Sequence, residues 1–298
     1  MAASCAGRKE LKVTQSGIDG TAQPAGLRRR ARYSFFGARL HQWLGRRADA
    51  ERLCRRALSF CDYTKAYRLL AELELPGEHY FKVLARVHQH VRPATYLEVG
   101  VSRGESLKLV GSQTLALGID PQPRVGFALR ANQQIFAQSS DEFFARADVP
   151  ELLGHQPLDM AFIDGMHHFE YALRDFINIE PLCAPGSLIF IHDCFPIDAR
   201  SAERAQTTAF WSGDIWRLLV LLKKYRPDLA IHTLGAPPTG LGLIMHLDPA
   251  STLLRSRLPQ LIAEGLTVDF SSIAPRRPEA LNLVPYDWPR VRQLLDSQ

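Results

Sequence analysis

Several protein classes are excluded by what this 298-residue chain lacks. It has five cysteines, Cys5, Cys54, Cys61, Cys183 and Cys194, scattered and without a C-x-x-C pair. That pattern suits a reducing compartment and argues against a disulfide framework or a cysteine zinc site. No apolar run reaches the roughly eighteen residues that a membrane span requires. The N-terminus has no uninterrupted apolar core of the secretory kind, and Glu10 and Asp19 break the acid-poor pattern of a transit peptide. These absences lead us to expect a soluble, cytoplasmic protein. Internal repeats are also missing.

What is present is ordinary for a globular chain. The hydrophobic fraction is 46% and the charged fraction 22%, enough for a packed core. The length allows one large domain with appendages or two small ones. The net charge is +5, and much of the excess is local. Arg28, Arg29, Arg30 and Arg32 cluster first, and Arg46, Arg47, Arg52, Arg55 and Arg56 follow. Such a cluster attracts anionic partners, nucleic acid or a lipid surface among them. With no nucleic-acid motif beside it, we read a solvated tail followed by an arginine-rich helix face.

Four segments are expected. Residues 1–32, rich in Gly, Ala, Ser, Gln and Arg, should be a disordered basic arm. Residues 33–91 form a helical extension: Leu40, Trp43, Leu44, Leu53, Ala57, Leu58, Tyr67, Leu69 and Leu70 recur at helical spacing from Phe35 to Leu75, Pro76-Gly77 ends the run, and one more helix spans Glu78 to Val91. Cys54 and Cys61, two turns apart, should share a buried stripe. Residues 92–248 alternate strand and helix. Strands are expected at Thr95–Val99, Leu115–Ile119, Gln134–Ala137, Leu158–Ile163, Ser187–Ile191, Leu229–Leu234 and Gly242–His246. Helices are expected from Gly104, at Ser140–Ala145 with Ser140 as N-cap, from about His167 to Ile179, and at Asp214–Tyr225, with a turn at Pro185-Gly186. This alternation gives a seven-stranded, mostly parallel, doubly wound α/β sheet of the Rossmann-like kind, its last pair antiparallel. Residues 249–298 add a helix at Ser251–Glu264 and a tail whose Tyr286, Trp288 and Leu294 can pack back on the body.

The chemistry is written at the strand ends. In Tyr96-Leu-Glu98-Val-Gly100-Val-Ser102-Arg-Gly104-Glu-Ser106 an apolar run meets an acid, and small residues follow. A second run, Leu115–Ile119, ends in Asp120. That pairing describes a nucleoside cofactor site at the carboxyl ends of adjacent parallel strands, with Asp120 placed to accept ribose hydroxyls. Asp164 and Asp193 end two further strands and open onto the same crevice. Two carboxylates, with His192 either completing the set or facing the sheet interior, suit a divalent ion, magnesium rather than zinc.

The segments Phe162-Ile-Asp164-Gly-Met-His167-His168 and Pro185-Gly-Ser-Leu-Ile-Phe-Ile-His192-Asp193, taken with Glu98-x-Gly100-x-Ser102-x-Gly104, resemble the class I S-adenosylmethionine-dependent methyltransferases. Within that class they are similar to the I-D-G-x-H group of macrolide-sugar and rhamnosyl O-methyltransferases. Trp211-Ser-Gly-Asp214-Ile-Trp216 and Pro238-Thr-Gly-Leu extend the resemblance, which covers roughly residues 90–247. It implies a metal-assisted O-methyltransferase acting on a hydroxyl of a sugar or other polyhydroxylated small molecule, with S-adenosylmethionine and Mg2+ as cofactors. His167 is then the general base, with His168 its rival, and Asp164, His192 and Asp193 are metal ligands. Glu98 and the backbone at Gly100, Ser102 and Gly104 take the methionine part, and Asp120 takes the ribose. Ser139, Ser140 and Asp141 lie where the adenine sits. Trp211 is a candidate pocket wall, and Asp214 reads as a helix-start carboxylate. Many class I methyltransferases have glycine where this chain has Ser102, a position often variable in this group, and serine can fill it if its backbone angles are ordinary.

Other functions fit less well. A nicotinamide-dependent oxidoreductase would need the missing G-x-G-x-x-G, and Glu98 would repel a pyrophosphate. An inactive methyltransferase-fold binding protein has no use for Asp164, His167 and Asp193 together. Methylation of nucleic acid finds no N-P-P-Y motif after the fourth strand. A homo-oligomer is left open.

Overall fold

Apolar runs too short to be helices, separated by Gly, Pro and Asp, become the strands of one sheet. The computed structural model of the chain describes residues 24–297. Among these residues lie β1 (Thr95–Val99), β2 (Leu115–Ile119), β3 (Gln133–Phe136), β4 (Leu158–Ile163), β5 (Cys183–His192), β6 (Ala230–Leu234), β7 (Leu241–Met245) and β8 (Leu283–Val284). Their order is β3-β2-β1-β4-β5-β7-β6-β8. The first five are parallel, β7 runs antiparallel to both β5 and β6, and β8 is parallel to β6. The expected α/β architecture is therefore present, antiparallel last pair included. The eighth strand was not expected, because a two-residue pairing leaves no periodicity to read.

Alternation along each strand builds two cores. Leu97 and Val99, Ala161 and Ile163, and Ile189 and Ile191 face one side. Tyr96, Met160, Phe162, Leu188 and Phe190 face the other. Both faces are buried, so these strands read as continuous apolar runs. The first face is covered by α5 (Ser140–Arg146), α6 (Val149–Leu152), α7 (Phe169–Ile179), α8 (Trp216–Tyr225), α9 (Leu253–Ser256) and α10 (Leu258–Thr267). The second is covered by α4 (Tyr80–Val91) and α12 (Trp288–Asp296), against which Tyr286, Trp288 and Leu294 pack as expected. The remaining short helix, α11, spans Arg277–Ala280.

A third core joins α1 (Ala25–Trp43), α2 (Arg47–Phe60) and α3 (Thr64–Glu74). Cys54 and Cys61 both lie in it, and they, Cys183 and Cys194 are buried and unpaired. Burial pushes the Cys54 thiol up to about 12. Tyr67 ties this bundle to the sheet domain by stacking on Phe210 at 5.1 Å and donating to Asp198 at 2.8 Å. Among the described residues no helix is long and apolar enough to cross a membrane.

Several local expectations change. The expected disordered arm lies outside the described residues up to residue 23. From Ala25 the chain is helical, so Arg28, Arg29, Arg30 and Arg32 ride on α1, where Ala, Leu and Arg all favour helix. No α-helix starts at Gly104; residues 105–110 are too few to propagate one before Gly111, and they make a single 3₁₀ turn at Leu107–Leu109. Pro185-Gly186 does not turn the chain. It lies within β5, where the register to β4 shifts between Leu158 and Met160, as at a bulge. Pro259, lacking an N–H, divides the expected Ser251–Glu264 helix into α9 and α10.

Candidate active site

The carboxyl ends of β1, β2, β4 and β5 open on one edge of the sheet, as parallel pairing requires. Gly100 ends β1 at φ +93°, and a Cβ there would overlap the Asp164 carbonyl and lie 2.8 Å from Gly165 N. Glycine is thus needed for the close approach of two strand ends. Asp120 folds the next turns around itself: Oδ2 accepts from Ser102 N and Oδ1 from Gln122 N, both at 2.7 Å. Ser102 has φ +48°, so serine does not meet ordinary backbone angles here; it sits in the left-handed region. Arg124 N donates to Ser102 O at 2.8 Å, and Phe127 covers Gly104, closing the turn from outside.

Glu98 lies near the end of β1. It is fully buried, and its two oxygens accept from Tyr96 Oη and Ser106 Oγ, each at 2.7 Å. Burial pushes its carboxyl up to about 8 despite those two bonds. It pins the residue 105–110 turn to β1. Ser139, not Ser140, caps α5 in a capping box with Glu142. Asp141 is held by a bidentate ion pair with Arg174, both bonds at 2.8 Å.

Asp164, His167 and Asp193 converge. Each offers a ligand atom within 4.8 Å of the others, a set able to hold a metal ion. His167 Nδ1 lies 3.1 Å from Asp193 Oδ2, and its Nε2 lies 3.8 Å from Asp164 Oδ1. Asp193 Oδ2 and His167 Nδ1 are close enough to pair yet misaligned, so both are buried without a hydrogen bond. Two orphaned polar atoms facing one gap, with a second carboxylate beside them, fit a divalent cation. His167 (φ +52°) and Asp193 (φ +59°) both adopt left-handed backbone. His167 therefore precedes α7 rather than forming its first turn.

His192 stands apart from that set. Its ring stacks on Tyr80 at 3.9 Å, with Nδ1 3.2 Å from Asp164 Oδ1 and 3.3 Å from Asp193 Oδ2. Burial would depress its pKa, but Asp193 and Asp164 outweigh burial and raise it. His192 thus bridges the two carboxylates as a brace. Burial also opposes the charge on Asp193, but His167 and His192 beside it hold its pKa low. Thr239, which sequence reasoning did not single out as a site residue, completes the brace. Its hydroxyl donates to Asp193 Oδ1 at 2.6 Å and lies 3.3 Å from His192 Nε2.

A loop after β5 fixes His167. Trp211 stacks on its ring at 5.2 Å, Gly213 packs against its backbone, and Asp214 N donates to its carbonyl at 3.2 Å. Asp214 caps not its own helix but α7, accepting from Phe169 N at 2.7 Å. Arg204 and Arg217 each donate to its Oδ2 at 3.0 Å. His168 points away, its Nε2 3.2 Å from Arg204 O. Trp216 is fully buried core. Beneath the cluster a cavity of about 10 Å3, one water's volume, is lined by Asp164, His167, His192, Asp193 and the buried Asp175. Asp175 was missed because its position in α7 looks like any helix surface site. Burial pushes its carboxyl up to about 7, against the pull of Ser140.

Residues 97–194, from β1 to just past β5, match the family model described as a methyltransferase domain. No curated protein matches the chain. Solved structures similar to part of the chain include cofactor-bound Rv0187 from MTB, at 17% identity over 56% of this chain and 79% of that one, TM-score 0.43. A second is the O-methyltransferase TomG from Streptomyces achromogenes, involved in tomaymycin synthesis, in complex with SAM: 16% identity, 57% and 80% coverage, TM-score 0.42. A third is the MycE methyltransferase of the mycinamycin biosynthetic pathway in complex with Mg, SAH and mycinamycin VI: 14% identity, 58% and 50% coverage, TM-score 0.40. The family match spans about a third of the chain and assigns residues 97–194 to a methyltransferase domain. A helical bundle lies ahead of the matched domain in the chain.

Proposed function

We propose that the protein methylates a hydroxyl of a sugar or other polyhydroxylated small molecule, assisted by a divalent cation held by Asp164 and Asp193. The observation that carries this reading is the convergence of Asp164, His167 and Asp193 at two adjacent strand ends, with two buried polar atoms left unpaired. Oxygen-rich donors favour magnesium. A cation there lowers the pKa of a hydroxyl bound to it. S-adenosylmethionine supplies a methyl group already activated on a sulfonium.

The chain's own residues do the rest. Asp120 has further lone pairs on both oxygens for ribose hydroxyls, and the backbone from Gly100 to Gly104 faces the methionine part. Ser140 and Asp141 border the adenine. His167 accepts the acceptor's proton at Nε2 while the oxygen–carbon bond forms and the carbon–sulfur bond breaks. Nδ1 faces Asp193, which leaves Nε2 as the ring nitrogen available to act as base. His192 and Thr239 hold Asp193, while Trp211 and Gly213 hold His167. A vicinal diol would place one oxygen on the cation and present its neighbour to the methyl group.

The test begins with calorimetric titration by S-adenosylhomocysteine and NAD. Micromolar binding of the first alone, lost in Asp120→Ala, is expected. An acceptor screen over sugars and diols, with and without magnesium, follows. His167→Ala should abolish turnover and spare magnesium binding, whereas Asp193→Asn should weaken magnesium binding itself. Turnover indifferent to chelator would overturn the cation, and failure to bind S-adenosylhomocysteine would overturn the whole reading.

A further inference from the structure

Large apolar side chains left in solvent gather on one helix. Among the described residues eight large hydrophobics are exposed, and five of them are Tyr33, Phe36, Leu40, Trp43 and Leu44 of α1 and its C-cap. Their spacing of three and four puts them on a single face. Trp43 is 82% and Tyr33 69% exposed. The opposite face explains why. There α1 buries only Ala31 and Ala38, against Ala50, Cys54 and Ala57 of α2, and a Cβ on Gly37 would lie 3.2 Å from Leu53. The helix docks through its small residues and Phe35, and holds Tyr33, Phe36, Leu40 and Trp43 outward, unlike a helix placed only for core stability.

The charge on α1 has one sign. Arg28, Arg29, Arg30, Arg32 and Arg39 lie on it, with no Asp or Glu, and Arg46 and Arg47 follow at once. The Arg32 guanidinium sits 5.5 Å over the Phe36 ring, at the border of the apolar stripe. Antiparallel pairing with a second copy would set Arg28–Arg32 of one protomer against Arg46 and Arg47 of the other, so self-association is opposed. An aromatic and leucine stripe bordered by arginines complements an anionic lipid surface instead, where Trp and Tyr favour the headgroup level. We propose that α1 lies in the plane of an anionic phospholipid surface, with the Tyr33–Leu44 stripe in the acyl–headgroup boundary and the arginines on the phosphates. The helix lies on the membrane and does not cross it.

The test uses the full chain with vesicles of phosphatidylcholine alone or mixed with phosphatidylserine, read by co-sedimentation and by tryptophan fluorescence. Binding to the anionic vesicles only, weakened by added salt, and a blue shift lost in Trp43→Phe are expected. The combined substitutions Phe36→Ser, Leu40→Ser and Trp43→Ser should weaken binding more than tenfold at unchanged melting temperature, since all three side chains are exposed. Arg32→Gln with Arg39→Gln should cost on the order of fivefold per arginine. Equal binding to neutral vesicles, or no vesicle binding at all, would overturn the proposal. So would binding that survives the triple substitution. A concentration-dependent dimer abolished by the triple substitution, without vesicle binding, would assign the face to a second copy instead.

Discussion

Gly213→Ala should disable the enzyme without touching any group that performs chemistry. Gly213 has φ +65°, where alanine costs about 1 kcal/mol. The larger effect is steric. An added Cβ would overlap the His167 carbonyl oxygen and lie 2.9 Å from His167 Cβ. Backbone cannot yield as a flexible side chain can, so the loop must retreat by on the order of an ångström. That retreat breaks the Asp214 N to His167 O bond at 3.2 Å, worth about 1 kcal/mol. It also loosens the Trp211 stack that orients the imidazole. The sum is about 2 kcal/mol, or roughly 3 °C in melting temperature for a chain of this size. A misplacement of about 1 Å at the base predicts a fall in kcat of about 100-fold. The turn at Asp120 follows β2 and is bonded to Ser102 and Gln122, not to this loop, so the Kd for S-adenosylhomocysteine should not change. Thermal melts, calorimetry and turnover on an acceptor from the screen make the measurement. An alanine variant with wild-type kcat and melting temperature would refute the claim that this loop positions His167.

Three other substitutions probe separate parts of the argument. Ser102→Gly should stabilise the protein by up to about 1 kcal/mol in urea unfolding, because glycine accepts φ +48° without a Cβ penalty; a loss of stability would contradict that reading of the turn. Glu98→Gln should flatten the dependence of stability on pH. The native carboxyl titrates near 8 against an ordinary value of 4.5, so the folded state keeps its proton across that window and the wild type loses stability as pH rises through it. The slope reaches about 1.4 kcal/mol per pH unit for one proton; it should be absent from Glu98→Gln and therefore appear as the difference between the two proteins in paired urea titrations. Thr239→Val removes the 2.6 Å donor to Asp193 Oδ1 while keeping shape. It should cost about 1–3 kcal/mol and weaken magnesium binding in calorimetry, which an ornamental hydroxyl would not do.

Much of the fold was legible along the chain because parallel strands buried on both faces leave continuous apolar runs. Thr95–Val99, Leu115–Ile119 and Leu158–Ile163 form with the expected bounds. The acids closing β2, β4 and β5 were legible for the same reason, since a strand end announces its last residue. Where local pattern is weak, expectation failed: at the turn after Gly104, at Pro185-Gly186 inside β5, and at two-residue β8.

By itself, then, the sequence determined the order of strands and helices and the residue types delivered to the open edge, because hydrophobic periodicity and strand-end chemistry are local properties. Only the tertiary structure decided how those residues share the work. It buried Glu98 under Tyr96 and Ser106, drew His192 behind the carboxylates onto Tyr80, and brought Thr239 and Gly213 to Asp193 and His167. It also turned the large side chains of α1 outward. Those outcomes depend on left-handed backbone at single residues and on packing between segments distant in the chain, neither of which leaves a periodic trace.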